Sequence, residues 1–289
     1  MSNRRSWWLV FALQFSVACG SDDGGGAGTG GAGSGGTPAS GGGGSGGAGN
    51  SGNVGGTTAT GGANSGGAGN TGPVVKYGDA HGGGEFHLGP VDWEESQWHN
   101  ACAPGTKYAP AIQALEGELL AGLWGGIPDV ASYCDACIYV ETAQGKSAVL
   151  RVVTYGDTTP NSIDVSPAAY AILNSGEYPR NMTWWFAQCP ATGPVKYEFQ
   201  TGSNEWWTSL WVRNARVPLT KVEVKSKNHA SFVELTRGSD GTLTDGSGFG
   251  AGPFSLRLSG LDGQVRTDDL AWPSAGIAGA MLDGSGNFD

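Results

Sequence analysis

Three stretches of this chain carry side chains whose types and spacing could do chemistry. The first is Thr201 to Asn214, TGSNEWWTSLWVRN, where Trp206, Trp207 and Trp211 fall within six residues. Indole is costly to leave exposed, so such a cluster either fills a core or presents flat faces to something that stacks on them. The second is Cys134-Asp135-Ala136-Cys137, a spacing open to a redox dithiol, to half of a zinc site, or to cysteines in separate disulfides. The third is Tyr77 to His99, with His81, Glu85, His87, Asp92 and His99. Its intervals fit no compact ligand set, so it reads as loop and strand-edge residues, with no metal and no cofactor expected.

The compartment bears on the cysteines. Arg4 and Arg5 precede an apolar run, Trp7 to Val17, too short to span a bilayer, and Ala18 and Cys19 close it. Residues 1–18 therefore look like a lipoprotein signal, with Cys19 as the lipid-bearing residue; Ser16 stands where an aliphatic residue is usual, and ordinary secretion is the alternative. With Cys19 so assigned, four cysteines remain: Cys102, Cys134, Cys137 and Cys189. An even number in an exported chain reads as two disulfides ahead of the redox and zinc readings. Residues 19–73 are almost wholly Gly, Ser, Ala, Thr and Asn and cannot bury a core. A tether of this kind has a mean reach on the order of 40 Å, which suits a protein tied to the cell surface or outer membrane but working beyond it. The formal charge is −10 and becomes more negative once Arg4 and Arg5 leave with the signal. This argues against nucleic acid as a partner and favours a neutral polysaccharide over an anionic membrane or wall polymer, leaving the lipid as the one link to a membrane.

Behind the tether the pattern is mostly strand. Ala111 to Leu123 is the one helix that the spacing predicts with force, since Ile112, Leu115, Leu119 and Leu123 share a face and Gly125-Gly126 with Pro128 ends it. Strands are expected at Cys137–Thr142, Ala148–Thr154, Ile163–Ser166 and Met182–Gln188, with a short helix at Pro167–Leu173 capped by Ser166. Trp184 and Trp185 alternate along one strand and read as core or domain-interface packing. After Pro190–Pro194 come strands at Lys196–Gln200, Trp206–Arg213, Lys221–Lys225, Ser231–Thr236, Ser255–Leu258 and Gln264–Asp268, the later ones divided by Asp-Gly turns, as in a compact β-sandwich.

Several of these stretches together resemble the bacterial expansins, from about Gly78 to the C-terminus. Cys134–Val140, CDACIYV, is similar to the cysteine-bearing strand of the first domain in plant-type members. Tyr155–Pro167, YGDTTPNSIDVSP, resembles the loop that sets an essential aspartate just before a small helix. Gly202–Asn214 resembles the paired-tryptophan strand of the second domain, down to its VRN ending and the following Pro218.

The resemblance implies an all-β chain: a six-stranded double-psi β-barrel over residues 74–190, then an immunoglobulin-like carbohydrate-binding β-sandwich over 191–289. It implies a monomer that loosens cell walls by disturbing non-covalent contacts between polysaccharides rather than by hydrolysis, acting on cellulose, another plant wall glucan or peptidoglycan. Asp164 matches the essential aspartate, Tyr155 a groove aromatic, and Trp206 with Trp207 the binding platform. The cysteine pattern implies Cys102 paired with Cys134 and Cys137 with Cys189. Three departures stand out. Val153 occupies the place of a second aspartate, which leaves Asp157 as the nearby carboxylate. Glu85 stands where a groove threonine is expected, and the third platform aromatic, expected near Ser239 to Gly241, is absent.

An inverting hydrolase of this barrel needs two carboxyl groups roughly 6.5 to 9.5 Å apart. Asp164 alone is not such a pair unless Asp157 or Glu85 joins it. A weak endoglucanase or lytic enzyme is therefore the enzymatic alternative, and a surface adhesin the structural one. Asp164 could also serve only to cap the following helix. On the second domain's strand, Leu210 and Val212 must face the core, which sends Trp207, Ser209, Trp211 and Arg213 outward. Trp207 and Trp211 are then roughly 13 Å apart, and Trp211 takes the place of the missing aromatic. Trp206 points inward if the strand is regular, and outward only if it precedes the regular pairing, after the turn at Gly202-Ser203-Asn204.

Overall fold

The computed structural model describes residues 73–89, 91, 101–102 and 110–289. The expected export signal, Cys19, the tether up to residue 72, Asp92 and His99 lie outside the described residues.

Six strands close into a barrel. They are β1 (Lys76–Leu88), β2 (Leu120–Trp124), β3 (Cys137–Thr142), β4 (Ser147–Gly156), β5 (Ile163–Val165) and β6 (Asn181–Ala187), in the order β1-β5-β2-β4-β3-β6. The pairs β1–β5 and β2–β4 are parallel and the other barrel pairs antiparallel. Alternation sends one side of each strand inward, where Phe86, Ala121, Leu123, Ile138, Val152, Ile163, Trp184 and Phe186 form the core. The other side of β2 and β4 carries a second, smaller cluster, in which Leu120 and Val153 pack with Val91, Cys102 and Ile112.

The helix expected over Ala111–Leu123 is corrected here. Helix α1 (Pro110–Glu116) stops before Gly117, whose φ of 76° leaves the helical region, and the residues from Leu120 onward become β2. This strand lies between β5 and β4 and is buried on both sides. A strand covered on both faces is apolar at every position, so its leucines also match a helical spacing. The reading of Tyr77 onward as loop and strand edge is corrected too, because β1 runs for 13 residues. Its Gly82-Gly83-Gly84 run hides the alternation, and Gly84 is required, since a Cβ there would lie 2.2 Å from the Asn161 carbonyl oxygen. Helix α2 (Pro167–Leu173) has the expected bounds and cap, with Ser166 Oγ accepting from the Ala169 amide.

The remaining strands form two facing sheets. One holds β10 (Val233–Glu234), β9 (Leu219–Lys225), β13 (Phe254–Gly260) and β14 (Val265–Leu270), in that order. The other holds β11 (Thr236–Arg237), β12 (Leu243–Asp245), β8 (Thr208–Arg213), β7 (Lys196–Phe199) and β15 (Met281–Asp283). Tyr197, Phe199, Leu210, Val212, Val222, Val224, Phe254, Leu256 and Leu258 meet between them. The strand expected over Ser231–Thr236 is two short pieces, β10 and β11, in different sheets. Strands β12 and β15, three residues each, carry too little pattern to be read from sequence.

Two disulfides join Cys102 to Cys134 and Cys137 to Cys189, the pairing that the resemblance implied. The second ties the start of β3 to the end of β6 across a sequence separation of 52 residues. Closing a loop of that length restrains the unfolded chain by about 4 kcal/mol in the chain-entropy account.

Barrel and sandwich fall within one compact unit, and strand β8 is their seam. All six of its residues are buried, and Leu210 and Val212 on one side belong to the sandwich core. Arg213 pairs with Asp135 of the barrel and, at 2.8 Å, with Glu198 of β7. The Asn214 amide donates to Glu116 of α1 at 2.9 Å, and Arg151 lies 3.1 Å from the same carboxylate. Burial pushes Glu116 up to about 7 against the pull of Arg151. Removing one partner of such a buried pair costs about 3–5 kcal/mol, so this knot holds the two parts in register.

Candidate functional site

The first half of the site lies on the outer face of the barrel. Phe86, Ile163 and Val165 point into the barrel core, so the residues alternating with them, Glu85, His87 and Asp164, point out. Asp164 is the middle residue of β5, with His87 opposite it on β1 and Gly122 on β2. The chain passes close to it at Gly89, where a Cβ would lie 2.9 Å from that of Asp164. Burial raises the Asp164 pKa above its ordinary value, and the neighbouring His87 works against that rise.

Asp164 does not cap α2. Ser166 does so, accepting from Ala169 while its hydroxyl donates to the Glu118 carbonyl at 2.7 Å. Among the described residues no hydrogen bond is made to the Asp164 carboxylate, which leaves its oxygens open to accept from hydroxyl groups of a ligand.

The other candidate carboxylates do not gather around it. Val153 is fully buried in the apolar cluster with Cys102, Ile112 and Leu120. Glu85 shares the outer face of β1 but accepts from the Arg180 amide at 3.1 Å. Asp157 is exposed in the loop after β4, and among the described residues no hydrogen bond joins it to Asp164. Tyr155 turns toward the sandwich. Its ring packs against both barrel clusters, its hydroxyl donates to the Ser239 carbonyl, and burial, followed by the charge of Asp240, raises its pKa.

The second half of the site is the tryptophan turn. Trp206 is 72% exposed, while Trp211 is only 2% exposed. The expectation that Trp211 faces outward in place of the missing aromatic is thus corrected: its indole Nε1 donates to the Asp240 carbonyl at 3.1 Å. Ser209 and Arg213 are buried with it. Alternation marks this side of β8 as solvent-facing only if water covers it, whereas here it is buried, with Arg213 reaching Asp135 of the barrel.

Trp206 points out because it precedes the regular strand, which begins at Thr208. Asn204 Oδ1 accepts from the amides of both Trp206 and Trp207, at 2.9 and 3.1 Å, and so holds the two indoles on one tight turn. The Asn204 amide closes the turn by donating to the Trp207 carbonyl at 2.8 Å. Trp207 is partly exposed, and its ring runs alongside Gly202, where a Cβ would come 3.7 Å from ring carbon Cζ3. Below the turn, the Gly250 amide donates to the Glu205 carbonyl at 2.9 Å. Asn228 Nδ2 donates to the Ser247 and Gly248 carbonyls at 3.0 and 2.9 Å. Gly248, at a φ of 66°, lies where a Cβ would come 2.3 Å from the Glu205 oxygen. Asn228 and Gly248 were missed from sequence, although the GSGFGAG run after Asp245 is the signal of a backbone packed too closely for side chains.

The site therefore has a solvent-facing aromatic turn on the sandwich and a half-buried carboxylate on the barrel. Among the described residues no group of His, Cys, Asp and Glu could hold a metal ion.

No family model matches this chain. It is 25% identical over 194 residues to an expansin of Bacillus subtilis strain 168, Expansin-YoaJ, covering 67% of this chain and 74% of that protein. It is 30% identical over 99 residues to expansin-like protein 6 of Dictyostelium discoideum, covering 34% of this chain but only 32% of that one. Among solved structures, the apo expansin of Clavibacter michiganensis matches with a TM-score of 0.56 at 17% identity, over 72% of this chain and 98% of that one. A mutant of the same expansin in complex with cellohexaose matches with a TM-score of 0.55 at 17% identity, over 72% and 96%. The chain is homologous to bacterial expansin and expansin-like proteins, and its fold is the expansin fold.

Proposed function

We propose that this expansin homologue binds an uncharged β-linked glucan, cellulose or a related wall polymer, and loosens its packing without cleaving it. The observation that carries this reading is Trp206, an indole left 72% exposed on a turn that other residues are built to hold out. Stacking a pyranose on such a face buries hydrocarbon that water would otherwise have to cover. A related fold in complex with cellohexaose supports the same ligand class.

In this reading Trp206 and Trp207 seat the protein on the polysaccharide, from a binding domain over residues 191–289. Asp164, in a barrel domain over residues 74–190, accepts hydrogen bonds from sugar hydroxyls that otherwise join one chain to the next. Asp157 and Glu85 are peripheral polar contacts, and Tyr155 sets the seam between the domains. Hydrolysis is not part of the reading, because the family's second carboxylate is replaced by Val153, buried among apolar side chains. Cys19 and the Gly/Ser-rich segment would hold the protein at the cell surface while it reaches outward; the two disulfides fit an exported chain.

Depletion of the protein from solution by a panel of insoluble polysaccharides tests this. Adsorption to cellulose or another neutral β-glucan is expected, with weak adsorption to a carboxylate-rich polymer. Preference for the anionic polymer, or adsorption to none, refutes it.

A further inference from the structure

Strand β2 ends in an aromatic residue that the tryptophan turn does not account for. Its side chains alternate between the two sides of the barrel wall: Ala121 and Leu123 lie in the barrel core, and Leu120 lies in the outer cluster. Gly122 and Trp124 therefore share the outer face with Asp164, which pairs with Gly122 across β2 and β5. Two residues along one strand and one strand over places the Trp124 backbone about 8 Å from that of Asp164, roughly one or two pyranose units away.

The Trp124 ring is partly exposed and belongs to neither hydrophobic cluster of the barrel. It has a seat instead. Gly126 lies beneath it so closely that a Cβ there would come 2.2 Å from ring carbon Cζ2. The seat is anchored to the end of β4, because the Gly125 amide donates to the Gly156 carbonyl at 2.8 Å. That bond also brings the turn beside Asp157, the residue after Gly156, which is exposed and polar. An indole bedded on glycine, on a strand flanked by β5 with Asp164 and by β4 with Asp157 just past its end, has the composition of a sugar subsite: a flat apolar face with hydroxyl acceptors on the neighbouring strands.

We propose that Trp124 forms a second, barrel-borne stacking subsite for a single uncharged β-glucan chain, which aligns that chain's hydroxyls with Asp164. The inference rests on the glucan reading above and assigns the two aromatic sites different work. Trp206 and Trp207 hold the solid, and Trp124 takes one strand drawn from it.

The test uses the full chain and three variants, Trp124→Ala, Gly126→Ala and Trp124→Phe. Extension of cellulose paper under load, adsorption to insoluble cellulose and calorimetric affinity for cellohexaose are measured on each. Trp124→Ala is expected to lower both the extension rate and the cellohexaose affinity about tenfold, with adsorption to the solid within about twofold of wild type. Gly126→Ala, which keeps the indole but unseats it, is expected to do the same, and Trp124→Phe to recover most of the loss. A wild-type extension rate in Trp124→Ala overturns the proposal while leaving the glucan reading intact. If Trp124→Ala does not fold, a wild-type rate in Gly126→Ala overturns it equally. A wild-type protein that neither adsorbs to nor extends any neutral glucan overturns both.

Discussion

Asp164→Asn is expected to cut wall loosening by about 10- to 100-fold while leaving the protein folded and still adsorbed to cellulose. The magnitude follows from losing hydrogen bonds to a charged acceptor, worth about 1.5–3 kcal/mol, at about 1.4 kcal/mol per factor of ten. Stability should move the other way. Burial raises the native pKa of Asp164 above its ordinary 3.8, so the native state holds the proton more tightly than the unfolded state does. The ionised carboxylate therefore weakens the fold at neutral pH, and stability gained from this residue grows as pH falls through the native pKa toward 3.8. Asparagine removes the charge, so thermal unfolding of Asp164→Asn at neutral pH should occur at or above the wild-type midpoint, with a flatter dependence on acid. A residue kept for packing would behave oppositely. A variant that loosens as well as wild type, or one that melts much lower, contradicts the role given to Asp164.

The double substitution Trp206→Ala with Trp207→Ala is expected to weaken adsorption to cellulose by at least about a hundredfold, with little change in melting temperature. If each ring covers about 100 Å² of sugar, at about 25 cal/mol per Å² it contributes about 2.5 kcal/mol. Two such rings exceed what a hundredfold loss requires even when their effects do not add fully. Trp211→Ala serves as the contrast. Its indole is buried at the seam and hydrogen-bonded to Asp240, so the expected outcome is a loss of about 3–5 kcal/mol in stability. Adsorption isotherms and urea unfolding on the same three proteins separate the cases. Equal adsorption by wild type and the double variant would sink the platform.

Much of the fold was legible because it rests on local chemistry. The cap at Ser166, the exposed turn before Thr208 and the Asp-Gly hairpin at Asp262-Gly263 are each encoded within a few residues. What misled was burial on both sides of a strand. In β2 it made an apolar run look helical, and in β8 it turned an apparent outer face into a seam. Arg213 illustrates the difficulty. A charged residue alternating with Leu210 and Val212 reads as solvent-facing, yet it is buried, because Asp135 arrives from 78 residues away and Glu198 from the adjacent strand. No local pattern announces such a partner. The same limit hid the support of the tryptophan turn, since Asn228 and Gly248 meet Glu205 only once the sheets have packed.

In the proposed function the protein separates glucan chains without cutting them. The most direct measurement clamps a strip of cellulose paper or heat-killed plant wall under constant load, adds the full-length protein, and counts reducing ends in the same sample as it extends. Extension above the buffer control is expected, with no rise in reducing ends. Reducing ends that increase in step with extension would contradict it, and would make Asp164 one member of a hydrolytic pair.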